Sequence, residues 1–221
     1  MPYGAAVWRP AAATVLAFLA LFPSVAQATA DQAGKFAFTP APAHVVKTPP
    51  RPPGSAGELR TVRVKTSSER GLRVAVLVEG GLPVTTRGFA RKITAALYDP
   101  RGWRRAGYAF RLVADEQADV EVVLASAELT DRLCAPLQTL AIYSCAQGNR
   151  AVLNFARWHG GAPAYRSLAR YRIYMINHEV GHVLGRAHAY CSTPGAAAPV
   201  MVQQTKGVAP CRPSPWPLTG E

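Results

Sequence analysis

The spacing of apolar side chains between residues 58 and 184 changes repeatedly from the period of a β-strand to that of an α-helix. Alternating or continuous apolar positions predict strands at 61–65, 72–78, 109–113, 120–124 and 150–155. Helical spacing predicts two long helices, because apolar residues then recur on one face. The first helix contains Phe89, Ile93, Ala96 and Leu97 at helical spacing and is ended by Asp99-Pro100. The second helix spans residues 167–184.

The remaining segments are less regular. Residues 128–148 predict irregular structure or an edge strand, and the Pro- and Gly-rich chain after Gly185 predicts coil. This order of elements predicts an α+β domain: a twisted mixed sheet with two long helices and a short, coil-rich C-terminal part.

The first thirty residues have the composition of a signal peptide. Arg9 supplies a positive start, residues 11–22 are apolar, and Ala28 and Ala30 each end an A-x-A cleavage site. An uncleaved membrane anchor is the alternative, although the apolar stretch is short for a membrane span. We therefore predict a signal peptide at 1–30 and a secreted or cell-envelope protein.

Composition and charge limit the function of the rest of the chain. Prolines predict an extended linker at 31–57, which leaves 58–221 as the folded domain. Hydrophobic residues make up 49% of the chain, which excludes a wholly disordered protein. The 25 Lys and Arg against 13 Asp and Glu give a net charge of +12, compatible with association with an anionic cell envelope. For an exported chain we expect no nucleic-acid partner, and no stable membrane insertion once the signal is cleaved.

All four cysteines lie in the predicted folded domain, and an even number in an oxidising compartment favours two disulfides. Three pairings are possible. We predict Cys134–Cys145 and Cys191–Cys211, since these close the shortest loops. A zinc site of four cysteines is the alternative, but no C-x-x-C spacing supports it.

One motif indicates the chemistry. His178 and His182 are four residues apart, so on a helix they lie on one face and can bind one ion. Glu179 lies beside them without needing to be a ligand. Gly185 allows the helix to end in a left-handed turn, after which His188 can supply a third nitrogen. Three histidines and one open position are typical of a catalytic zinc site, so we predict Zn²⁺ as the cofactor.

The same helix has a face for the core. Ile173, Ile176, Val180, Val183 and Leu184 share one arc of a helical wheel, nearly opposite His178 and His182. We therefore expect one face to pack against the sheet and the other to present ligands to a cleft.

The motif resembles that of the metzincin zinc peptidases, H-E-x-x-H-x-x-G-x-x-H followed by a Met-containing turn. Met201, in Pro199-Val200-Met201, stands where the resemblance expects that methionine. The resemblance implies a metzincin-like fold in which this turn is a hydrophobic base beneath the zinc and Met201 is not a ligand. An ordinary core methionine is the alternative.

The chain is more closely similar to an actinobacterial group of exported, metzincin-like domains, over roughly residues 58–217. The similar segments are Asp131–Cys134, Gly148–Asn154, Tyr171-Arg172, Asn177–His182, Pro199–Met201, Gln204–Gly207 and Cys211–Pro217. The long C-terminal helix of many metzincins is not expected, because about twenty residues with several prolines follow Met201. Tyr190 is expected to pack or to lie on the cleft rim rather than to act at the metal.

Together these features predict a zinc metallopeptidase that hydrolyses protein or peptide substrates. Glu179 would act as general base towards the attacking water and return the proton to the leaving amine. A substrate strand would pair with an edge strand at 137–144 or 150–155. Asn154 and Asn177 would either orient a ligand histidine or satisfy caps and turns.

Two alternatives to the endopeptidase remain. One is a cell-wall peptide amidase, which uses the same zinc chemistry. The other is a non-catalytic, basic envelope-binding module with a structural zinc; Glu179 argues against it, because such a site needs no base.

Overall fold

The computed structural model describes residues 57–62, 70–114 and 118–221 of the chain. The predicted signal peptide, nearly all of the predicted linker and most of the predicted strand at 61–65 lie outside these described residues. No helix among the described residues has both the length and the apolar composition needed to cross a bilayer.

In the described part of the chain, six strands form one mixed sheet with the order β1-β2-β4-β6-β5, and β3 pairs with the first part of β2. The strands are β1 (Leu59–Thr61), β2 (Leu72–Glu79), β3 (Phe110–Leu112), β4 (Val120–Ala125), β5 (Cys145–Gln147) and β6 (Arg150–Asn154). The pairs β2–β3, β2–β4 and β4–β6 are parallel, and β1 and β5 pair antiparallel at the two ends. The continuous apolar runs of β2 and β4 follow from this position, because central parallel strands are covered on both faces.

Four α-helices accompany the sheet within the described residues. They are α1 (Thr86–Leu97), α2 (Ala127–Cys134), α3 (Phe155–Gly160) and α4 (Leu168–Val183), and a 3₁₀ turn covers Trp103–Ala106. The two longest, α1 and α4, are the two predicted helices. Thr85 and Ser167 cap them by accepting hydrogen bonds from the backbone N–H of Gly88 and Arg170. The protein is therefore a mixed α/β structure with two long helices, as predicted, and two short ones that the sequence analysis missed.

Helices α1 and α4 pack around the main hydrophobic core of the sheet. Ile176 and Val180 of α4 are fully buried, and Ile173, Val183 and Leu184 are partly buried against the same core. The predicted apolar face of α4 is therefore confirmed.

The strand predicted at 150–155 is one residue too long. β6 ends at Asn154, and Phe155 begins α3. The Asn154 side chain accepts a hydrogen bond from the Ala156 N–H at 2.9 Å, which is the contact of a helix N-cap. Asn154, at the end of an apolar run, is therefore the N-cap of α3. The apolar run alone did not distinguish the end of the strand from the start of this helix.

The prediction for 128–148 is wrong in its first part. Residues 127–134 form α2, and Ser126 caps it by accepting a hydrogen bond from the Leu129 N–H. The predicted edge strand is confirmed as β5, which is only three residues long. The predicted coil after Gly185 is also confirmed, because residues 186–221 contain only an isolated bridge between Ala197 and Arg212.

Both predicted disulfides are confirmed, Cys134–Cys145 and Cys191–Cys211. This pairing excludes the alternative zinc site of four cysteines, because every thiol is used in a disulfide. The first disulfide joins the end of α2 to β5, and the second closes a loop that contains Met201.

Candidate metal centre

The three predicted ligand histidines lie together. His178 and His182 are one turn apart on α4, and Gly185 ends the helix with a φ of 83°. The Arg186 N–H then bonds back to the Gly181 carbonyl at 2.9 Å, and this closing turn leads the chain to His188. One ring nitrogen from each histidine lies within 4.8 Å of the others.

Backbone carbonyls orient two of the histidines. His178 Nδ1 lies 2.8 Å from the Val200 carbonyl oxygen, and His182 Nδ1 lies 2.8 Å from that of Arg186. A carbonyl oxygen can only accept, so each Nδ1 carries the hydrogen and each Nε2 keeps its lone pair for an ion. Neither Asn154 nor Asn177 orients a ligand histidine. Asn154 caps α3, and the Asn177 Nδ2 donates to the Pro215 carbonyl. The alternative role, in caps and turns, therefore holds for Asn154, whereas Asn177 ties α4 to the C-terminal segment.

The donor set fits a metal ion such as zinc. Burial lowers the pKa of His178 to about 3, and burial also lowers the pKa values of His182 and His188. Each shift favours the neutral ring, which is the form that binds a metal ion. His182 Nε2 and His188 Nε2 are 3.1 Å apart. Two nitrogens on one tetrahedral zinc are separated by about 3.3 Å, which is close to this distance. No fourth His, Cys, Asp or Glu joins the group in the described part of the chain, which leaves a coordination position open.

Glu179 is nearly fully buried, at 6% exposure, and still contributes to the lining of the same cleft as the histidines. Burial raises the pKa of its carboxyl group to about 8. A cation held by the neighbouring histidines would oppose this effect, because positive charge favours the ionised carboxylate.

Met201 lies beneath α4 in the main core, at 2% exposure. A Cβ atom at Gly181 would lie 2.5 Å from Met201 Sδ and 2.6 Å from Trp103 Cζ2. The Trp103 ring is fully buried and donates from Nε1 to the Asn177 carbonyl at 2.8 Å. Gly181, in the middle of the motif, therefore allows the helix to pass directly over Met201 and Trp103.

We expect Gly181→Ala to destabilise the protein by about 1–2 kcal/mol. Overpacking a filled core costs up to about 3 kcal/mol, and two contacts as short as these place the cost here at about 2–3 kcal/mol. The better helix propensity of Ala returns about 1 kcal/mol. Urea unfolding with both disulfides intact measures the difference. Gly207→Ala is the control, because no atom lies within 4 Å of its Cβ position, and we expect it to stay within about 0.5 kcal/mol of wild type. A Gly181→Ala protein as stable as wild type would show that Met201 and Trp103 move aside freely.

Two residues near Met201 escaped the sequence analysis. The Glu221 carboxylate accepts hydrogen bonds from the N–H groups of Val200 and Met201, both at 3.0 Å. Gln204 is fully buried and uses its whole amide group. Its Nε2 donates to the Pro199 and Ser214 carbonyls, and its Oε1 accepts from the Tyr165 hydroxyl and the Ser214 N–H. These contacts hold the turn that delivers the Val200 carbonyl to His178.

The histidines line one side of a cleft of about 420 Å³, named here the histidine cleft. Its lining comes from α4 and His188, from residues 137–148, and from residues 203–206. A larger cavity of about 700 Å³ lies over β2 and α1 and contains none of the three histidines. The smaller cleft is the better candidate site because the three histidines and the buried carboxyl group of Glu179 converge there.

The edge of the sheet at this cleft is β5, whose Cys145 and Ala146 contribute to the lining. The predicted edge at 150–155 is wrong, because β6 lies between β4 and β5. The predicted edge at 137–144 is a loop rather than a strand, although it does form one wall of the cleft.

This loop is held in an uncommon conformation. Leu140 and Ala141 have φ values of 56° and 55°, a region that non-glycine residues seldom adopt. The Asp131 carboxylate accepts hydrogen bonds from the Thr139 hydroxyl and the Ala141 N–H, and the Asn154 Nδ2 donates to the Ala141 carbonyl.

Tyr190 was expected to pack or to lie on the rim of the cleft. It is 86% exposed, so it does not pack in the core.

Comparison with protein families identifies the family of this chain. The model of a family described as "Protein of unknown function (DUF3152)" matches residues 57–213, a range that contains the three histidines, Glu179, Met201 and both disulfides. No curated protein and no solved structure matches the chain.

Proposed function

We propose that this chain, which belongs to the DUF3152 family, is a secreted zinc-dependent endopeptidase with a metzincin-like active site. One observation carries the proposal: three imidazole nitrogens within 4.8 Å of one another share a cleft with the carboxylate of Glu179. A metal held only to stabilise the fold is normally closed by four protein ligands, whereas this set has three. Export is proposed from the composition of residues 1–30.

The histidines and Glu179 would have different roles in the proposed hydrolysis. His178, His182 and His188 would hold Zn²⁺ through their Nε2 atoms. When bound, zinc supplies Lewis acidity, which lowers the pKa of water and polarises a carbonyl oxygen. Glu179 would accept a proton from the water that attacks the peptide carbonyl and then donate that proton to the leaving amine.

The surrounding elements would position the substrate. The outer edge of β5, the last strand of the sheet, would offer backbone groups to an extended peptide, which would lie along the histidine cleft as an added strand. Val200 and Arg186 would keep His178 and His182 in the orientation that the metal needs. Met201 would form the apolar support below the helix that the metzincin resemblance implies.

The test uses the full chain, produced with export so that both disulfides form. We expect about one zinc per chain by elemental analysis, and cleavage of a peptide mixture detected by mass spectrometry. A zinc chelator should stop cleavage, and added zinc should restore it. Bound zinc without any cleavage would favour the envelope-binding module, and cleavage confined to cell-wall peptides would favour the amidase. No zinc after reconstitution would end the peptidase proposal.

A further inference from the structure

The histidine cleft has an uneven distribution of charge. Among the described residues that line it, Glu179 is the one carboxylate and Lys206 is the one ammonium. Glu179 is nearly buried, whereas Lys206 is exposed to the solvent from which a substrate arrives. The accessible side of the cleft is therefore positive, and a metal ion on the histidines would add to this charge.

Lys206 is held against an aromatic ring. Its Nζ lies 5.1 Å from the centre of the Tyr143 ring and donates a hydrogen bond to Gln203 Oε1 at 3.3 Å. The guanidinium of Arg157 lies 6.0 Å from the same ring. Arg157 is 8% exposed and donates from Nε to the Ile142 carbonyl. Tyr143 is thus accompanied by two positive charges.

Neither cation has a carboxylate partner among the described residues. The ion pairs there join Arg73 to Asp119, Arg101 to Asp99 and Arg150 to Glu121, all outside the histidine cleft. No carboxylate of the described residues pairs with Lys206, which lines the cleft, and the buried Arg157 adds a second positive charge beside the Tyr143 ring. The Tyr143 side of the cleft is therefore suited to an anionic group of a ligand.

The backbone that carries Lys206 is fixed in place. The buried Gln204 amide holds the segment, and the Gln204 N–H donates to the Tyr174 hydroxyl at 2.8 Å. The hydroxyl groups of Thr205 and Tyr171 lie 2.9 Å apart in a further hydrogen bond. A cation on such a rigid segment loses little conformational entropy when it binds a ligand.

We infer that Lys206, placed against Tyr143, binds a carboxylate of the substrate, so that the peptides this site prefers carry an acidic group close to the bond that is cleaved. The carboxylate comes either from an Asp or Glu side chain or from a free C-terminus. As a statement about substrate, the inference rests on the proposed peptidase function.

The test measures binding, so it does not depend on turnover. Three sets of short, N-acetylated peptides, with no Asp or Glu at their randomised positions, are titrated calorimetrically into the zinc-loaded full chain carrying Glu179→Gln. The same titrations are repeated with the metal-free protein. The first set has one fixed Glu and a C-terminal amide, the second has Gln at that position and the amide, and the third has Gln and a free C-terminal carboxylate. We expect one carboxylate-bearing set to bind about tenfold more tightly than the Gln amide set. Preference for the first set identifies a side chain, and preference for the third identifies a C-terminus.

A second substitution assigns the preference to Lys206. In the Glu179→Gln background, Lys206→Met should remove the difference between the sets, and Lys206→Glu should reverse it. Lys92→Met is the matched control, because Lys92 is an exposed lysine of α1 outside the cleft, and it should keep the tenfold preference.

The outcomes distinguish the inference about Lys206 from the proposal that the protein is a zinc peptidase. Equal binding of all three sets, or a preference that survives Lys206→Met, overturns the inference even if the protein binds zinc and cleaves peptides. A protein that takes up no zinc ends the peptidase proposal, while the metal-free titration still decides whether Lys206 binds a carboxylate.

Discussion

Glu179→Gln is expected to lower kcat for peptide hydrolysis by at least about 100-fold, and up to about 10,000-fold, while the zinc content stays near that of wild type. Gln has nearly the size of Glu, so it fits the same buried position, but its amide cannot accept a proton from water. A positioned general base contributes about this range to a rate. The ligand histidines keep their carbonyl partners, Val200 and Arg186, because neither contact involves residue 179. Steady-state kinetics together with elemental analysis on one preparation measures both quantities.

The control for this substitution is Glu58→Gln, which neutralises an exposed carboxyl group outside the histidine cleft. Its rate should equal that of wild type. If Glu179→Gln retained more than about a tenth of wild-type kcat, Glu179 could not be the proton acceptor. A variant that lost zinc together with activity would instead give Glu179 a role in holding the metal.

His182→Ala is expected to reduce zinc affinity by well over about 100-fold, and peptide hydrolysis should disappear with the metal. Loss of a group that merely orients a ligand already costs about 10–100-fold in affinity, so loss of a ligand nitrogen costs more. His182 is only half-buried, so the fold should persist. Competition with a chromogenic zinc chelator measures the affinity, and circular dichroism checks the fold.

His159→Ala is the matched control, because His159 is an exposed histidine of α3 outside the cluster. It should bind zinc as wild type does. Wild-type zinc affinity in His182→Ala would mean that the metal is bound elsewhere, and the proposed ligand set would then be wrong.

The sequence was sufficient for the parts of the site that depend on local spacing. His178 and His182 are neighbours on any helix, and Gly185 marks the left-handed turn that brings His188 back. Both disulfides followed from short loops. In each case the interacting residues are close in the chain, so the pattern of residues carries most of the geometry.

The parts that the sequence could not predict depend on long-range pairing. Any residue has a backbone carbonyl, so nothing in the sequence distinguishes Val200, which is 22 residues from His178, as the partner of that histidine. Strand order is also a long-range property, which is why β6 was predicted as an edge although β5 covers it. Helix α2 has only eight residues, and a Thr and a Cys are among them. Too few clearly apolar positions remain to show a helical period.

The parts of the site inside the two disulfide loops differ from α4 in how freely their sequence can change. The groups proposed for the chemistry stand on α4 and the turn after it, which the core of the sheet fixes. The other two lining segments, residues 137–144 and 203–206, lie inside the loops closed by Cys134–Cys145 and Cys191–Cys211, so each segment has its own covalent support. Substitutions at 137–144 would therefore alter which ligand fits the cleft without disturbing α4, whereas residues 203–206 also hold the turn that orients His178. If the proposed chemistry holds, exchange of the loop at 137–144 would change specificity while the reaction at the histidines stays the same.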